Sequence, residues 1–75
     1  METQTLLDLV STILEIDAAK VSLSDNLAEL GWDSLSNLSF IAEVDEQLGL
    51  SLDADELAGA ENVSDLARLI TSAKA

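Results

Sequence analysis

The sequence predicts an all-α bundle of three principal helices plus one short helix, with a long loop between the first two principal helices. Three observations lead there. Apolar residues recur at spacings of three and four along separate segments, and no stretch alternates convincingly with the period of a strand. Asp, Asn and Gly stand at the ends of those segments, where helices start and stop. The 75 residues include no proline, so nothing breaks a helix from within.

Each element has its own signature. A first helix, capped by Thr3 or Thr5, runs to about Glu15, with Leu6, Val10 and Ile13 on one face and Leu7 and Leu14 beside them. Residues 16–32 are less periodic. Ser22, Ser24, Asp25 and Asn26 are turn and cap residues. Val21, Leu23, Leu27 and Leu30 recur often enough to pin this loop to a core, and Gly31 ends it. The second helix starts at Asp33 or Ser34 and runs to Leu48, with Asp33 a good N-cap and Gly49 the stop. Its stripe is Leu38, Ile41, Val44 and Leu48, widened by Phe40. A short helix from Asp53 to about Ala58 is capped by Asp53 and closed by Gly59. The last helix is capped by Asn62, turns Val63, Leu66 and Ile70 inward, and keeps Arg68 and Lys74 toward its C-terminal half, where positive charge suits the helix dipole.

Length and composition bound the function. Residues 1–75 make one domain with a limited core. There is no Cys and no His, which removes disulfides, the usual Zn, Cu and haem ligands, and His- or Cys-based nucleophilic catalysis. Fifteen acids against three bases give a formal net charge of -12, which leaves no basic stripe for nucleic acid and disfavours an anionic membrane. The charge exceeds what solubility needs and suits partners with basic patches. A hydrophobic content of 48% rules out a disordered acidic tail. No segment has the apolar length of a membrane span and the N-terminus lacks a signal-peptide pattern, so a cytoplasmic, monomeric protein is expected.

One stretch carries chemistry: Leu30-Gly31-Trp32-Asp33-Ser34-Leu35. Ser34 sits at a helix start behind a glycine turn, and no base is available to make it a nucleophile. If Ser34 matters, something else modifies it, and an enzyme is not expected. Gly31-Trp32-Asp33-Ser34-Leu35 resembles the phosphopantetheine attachment motif of acyl carrier proteins, whose core is Asp-Ser-Leu. The resemblance extends over nearly the whole chain: the motif near mid-chain after a long loop, the short third helix, the capped fourth, the size and the acidity. It implies an acyl-carrier-like bundle in which Ser34 receives 4'-phosphopantetheine from coenzyme A and the arm's thiol carries an acyl group as a thioester. It also implies that Asp33 helps to position the Mg²⁺-dependent transferase reaction and that Leu35 seats the motif against that enzyme. A phosphate on Ser34 would lie near free backbone N–H groups and the positive end of the helix dipole. Without the resemblance, Asp33 and Ser34 are simply a helix cap.

By the same resemblance the second helix is the main docking element. Its acids are Glu43, Asp45 and Glu46, which are equally consistent with an ordinary solvated face. Fatty-acid-synthesis carriers commonly have acids just after the motif; this chain has Ser36 and Ser39, which favours a dedicated polyketide, specialised-lipid or related pathway. Trp32 and Leu38 complete the candidate partner-binding set, Trp32 being either an exposed anchor or a lid packed over the loop. Ile41, Leu52, Leu57, Ala60 and Leu66 match positions that shelter an acyl chain in the family, and are core residues on either reading. Asp53, Asp55 and Glu56, like Asp25 and Glu29, lack the spacing of a calcium loop, so no dedicated metal site is indicated. The implied partners are a phosphopantetheinyl transferase, an acyl-loading ligase or acyltransferase, and downstream enzymes with basic docking patches. The expectation is a free-standing carrier of the discrete kind. The alternatives are a peptidyl or aminoacyl carrier of nonribosomal peptide-type synthesis, and an acidic helical adaptor that carries nothing.

Overall fold

A computed structural model describes residues 2–74, and the ends of the expected 1–75 domain, Met1 and Ala75, lie outside the described residues. The chain forms α1 (Thr3–Leu14), a 3-10 turn (Ala18–Lys20), α2 (Leu27–Leu30), α3 (Ser34–Leu48), α4 (Ala54–Ala58) and α5 (Val63–Lys74). This is the all-α bundle expected. Three helices are long, but two are short, because the long loop contains the single turn α2. One turn is too brief for apolar periodicity to register. It exists because Asn26 caps it, accepting the Glu29 N–H, and because Leu27 is buried beneath it. Gly31, at φ +89°, then closes it in the left-handed region where a side chain would be strained.

The start of α1 differs from expectation. Glu2 is its N-cap and makes no side-chain capping bond, so neither Thr3 nor Thr5 caps it; both lie inside the first turn and are exposed. Its buried face is Leu6, Leu9 and Val10, with Leu7, Ile13 and Leu14 half-buried beside it. The helix ends where Glu15 takes a left-handed φ of +58° and the Ile16 N–H reaches back to the Ser11 carbonyl, a closure that usually falls to glycine.

The long helix α3 begins where the sequence places it, with Asp33 as N-cap, and stops at Gly49, φ +66°. Its buried seam runs at every fourth residue through Ser36, Phe40 and Val44. That register carries Leu38 out of the predicted stripe. Two residues from Phe40, it lies on the opposite side of the helix and is 62% exposed, while Ile41 and Leu48 are half-buried.

The remaining helices follow the predicted caps. Asp53 Oδ1 accepts the N–H groups of Asp55 and Glu56 at the start of α4, and Asn62 Oδ1 accepts the Asp65 N–H at the start of α5. Val63, Leu66 and Ile70 are buried, as is Leu57 of α4. Around Phe40, α3 packs on α1 and α4, and α5 closes against both of these. The loop between α1 and α3 is tied down where Asn26 bridges Asn62: the Leu27 N–H bonds the Glu61 carbonyl and the Val63 N–H the Asp25 carbonyl. The strap puts the entry to α2 beside the entry to α5, and so fixes the chain that leads into Ser34.

Candidate functional site

The site is built on the N-terminus of α3. Gly31 reverses the chain, Asp33 is extended, and Ser34 is the first helical residue, exposed to solvent. The Trp32 ring packs edge-on against Phe40, centroids 5.9 Å apart and planes at 71°, and its indole N–H donates to Asn37 Oδ1. Trp32 is thus half-buried as a lid on the core, and it holds the turn before Ser34 against the body of the bundle.

Asp33 organises the helix end. Its Oδ1 accepts the Ser36 N–H at 3.0 Å and the Ser36 hydroxyl at 3.1 Å. The backbone N–H of Ser36, then its hydroxyl, hold the Asp33 carboxyl below the ordinary aspartate range, because both bonds are stronger to the charged form. The Asn37 N–H is taken by the Asp33 carbonyl. The Leu35 N–H also faces the Asp33 carboxyl, which leaves the Ser34 N–H at the open end of the helix. A phosphodiester on Ser34 fits there: its ester oxygen leaves from an exposed residue, and its single negative charge meets the positive helix end.

The sequence singled out Asp33, Ser34 and Leu35, and the structure brings them together at this helix end. It also adds two residues: Ser36, which the sequence marks only as a place without an acid, and Asn37, which it does not mark at all. Ser36 is buried, and its hydroxyl reaches Asp33; the signal was a polar residue three places after a cap, where side chains can answer the cap. Asn37 is the partner of the Trp32 indole, a contact that no local pattern announces.

Down the solvent face of α3 the chemistry changes. Leu35 is 72% exposed and Leu38 62%, the two largest exposures among the big apolar side chains of the described residues. No ionisable side chain occurs from Ser34 through Ala42. The acids begin at Glu43, which is half-buried and accepts from the Gln47 amide, and continue at the exposed Asp45 and Glu46. At 1.5 Å per residue, Asp45 lies about 16 Å along the helix from Ser34.

Of the candidate acyl-lining residues, Leu57 and Leu66 are wholly buried, and Ile41, Leu52 and Ala60 pack on the same core from its edge. Leu52 and Ala60 also border open grooves between α4 and α5. A further groove of about 270 Å³ lies between the end of α1 and the start of α3, lined in part by Ile13, Leu14, Asp33 and Leu35. Among the described residues no helix is long and apolar enough to cross a membrane.

Comparison with known proteins agrees with this geometry. Residues 4–70 match the sequence profile of a family described as the phosphopantetheine attachment site. Over 56 residues, 75% of this chain and 68% of the relative, the sequence is 36% identical to the polyketide biosynthesis acyl-carrier-protein AcpK of Bacillus subtilis (strain 168).

Proposed function

Since the chain belongs to the phosphopantetheine-binding acyl carrier family, we propose that Ser34 is its attachment residue and that it serves a dedicated pathway, of which polyketide assembly is the leading case. The cofactor of the family is covalent 4'-phosphopantetheine, whose thiol holds acyl groups as thioesters. The observation that carries the assignment is the placement of Ser34: an exposed hydroxyl at the first position of α3, held by a turn that Trp32 packs against the core.

Loading is a phosphoryl transfer. The Ser34 oxygen forms a bond to the phosphorus of coenzyme A nearest the pantetheine, the bond from that phosphorus to adenosine 3',5'-bisphosphate breaks, and the hydroxyl proton leaves to the transferase. Ser34 is acted upon and does no catalysis itself; the chain has no His or Cys to assist it. Leu35 and Leu38 offer partners an apolar surface next to the arm, the exposed part of Trp32 adjoins it, and Asp45 and Glu46, with Glu43 beside them, offer charge farther down. The same pattern supports a dedicated pathway, since a partner must match an uncharged surface at the serine and a basic patch at a distance. A ligase or acyltransferase charges the thiol, and successive enzymes, which we place with it in the cytoplasm, act on the tethered thioester. An acyl chain sheltered between α3 and α4 would part Ile41, Leu52 and Ala60 from Leu57 and Leu66.

The test is intact mass before and after incubation with coenzyme A, Mg²⁺ and a broad-specificity phosphopantetheinyl transferase. Wild type is expected to gain one phosphopantetheine and Ser34→Ala none, with the melting temperature of the variant changed by less than the equivalent of about 0.5 kcal/mol. No gain on folded wild type with several transferases would leave Asp33 and Ser34 as a helix cap and favour an acidic adaptor.

A further inference from the structure

Two polar side chains are buried among the described residues, Ser11 and Ser36. The Ser11 hydroxyl donates to the Asp8 carbonyl of its own helix, an ordinary way to satisfy a buried serine. Ser36 has a different partner. It occupies the first place in the buried seam of α3, one turn before Phe40, where an apolar side chain would add to the core. Its hydroxyl instead leaves the core to meet Asp33 Oδ1, which already accepts the Ser36 N–H.

Two donors on one oxygen do more than cap a helix. The backbone N–H alone satisfies the cap and leaves the carboxylate free to rock about its last torsion. A second donor, arriving from a side chain, fixes the plane of the group. Both of these bonds fall on Oδ1, and Asp33 is exposed. One carboxylate oxygen is therefore tied to the helix by both bonds, while its twin takes part in neither, on the residue next to Ser34.

We propose that Ser36 is a positioning residue for the loading of Ser34: its hydroxyl fixes the Asp33 carboxylate so that Oδ2 is presented beside the Ser34 hydroxyl to the transferase. The proposal rests on Ser34 being the attachment residue. Ser36 touches neither coenzyme A nor the reacting oxygen and acts only through Asp33. What meets Oδ2 on the transferase is a cation or an N–H donor, because an ionised carboxylate only accepts.

A double-mutant cycle tests this. Initial rates of phosphopantetheine gain are measured by intact mass for wild type, Ser36→Ala, Asp33→Ala and the double variant, with Ser36→Thr as the rescue and each rate normalised to the folded fraction from thermal melts. Ser36→Ala is expected to lower kcat/KM for loading roughly tenfold, in line with loss of a hydrogen bond to a charged group. Ser36→Thr, which keeps the hydroxyl, should recover most of it. In the Asp33→Ala background, Ser36→Ala should cost nothing further. Loading of Ser36→Ala at the wild-type rate, or an equal loss in both backgrounds, overturns the proposal. Should Ser36→Ala not fold, Ser36→Thr and Asp33→Ala decide: a folded Asp33→Ala that loads at the wild-type rate leaves Ser36 nothing to position. Wild type that fails to load removes the Ser34 assignment itself, a result distinct from all of these.

Discussion

The Asp33 carboxylate caps α3, and its hold on the helix depends on pH. As N-cap it holds the Ser36 N–H and hydroxyl, and these bonds keep its carboxyl below the ordinary aspartate range. A group whose pKa is depressed by folding stabilises the fold above its unfolded value and loses that contribution as pH falls through the folded one. The cap is therefore complete at neutral pH, and its contribution is lost as pH falls through the lowered Asp33 value. Followed by NMR, the Ser36 amide proton should titrate with a midpoint under the value for an aspartate in an unstructured peptide, about 3.9. A midpoint at or above that value contradicts the hydrogen-bond geometry at the head of α3.

At the scale of elements, the principal helices were legible because their signals are local. Caps at Asp33, Asp53 and Asn62 and stops at Gly49 and Gly59 are each read within a few residues, and all hold. The start of α3 at Ser34 was legible for the same reason, standing one residue after its cap. What escaped is what tertiary contact decides. The single turn α2 depends on Leu27 finding the core and on the strap between Asn26 and Asn62, residues far apart in sequence. The solvent side of Leu38 depends on Phe40 winning the centre of the bundle, and the Trp32–Asn37 bond on both elements being in place. The strap also makes one cap worth more than its own helix. Asn62→Ala removes the acceptor of the Asp65 N–H and of the Ser64 hydroxyl, and should cost about 1 kcal/mol. It should also speed exchange of the Leu27 amide, whose partner is the Glu61 carbonyl just before it. Thr3→Ala, at a threonine that caps nothing, should leave stability within about 0.5 kcal/mol. Thermal unfolding and hydrogen exchange on the two variants check both statements; equal effects from both would mean that the strap does not depend on the Asn62 cap.

The whole molecule is governed by its charge. Fifteen acids and three bases share a body of 29 × 22 × 19 Å, and the one ion pair among the described residues joins Arg68 to Asp65 within α5. At about 10 mM ionic strength the screening length is about 30 Å, as long as the protein itself, so every acid repels every other across the bundle. At about 150 mM it falls to about 8 Å, and only near neighbours remain in contact. The unfolded chain, being more expanded, suffers less from the same charges, and the repulsion therefore weighs on the folded state. The melting temperature should rise between these two salt concentrations, by about 4–8 °C for each kcal/mol of repulsion relieved in a domain of this size. Screening depends on ionic strength and not on the identity of the ion, so sodium chloride and choline chloride should act alike, and charge-reducing variants at Asp45 and Glu46 should shrink the response. A melting temperature indifferent to salt would mean that the acids are too dispersed to burden the fold.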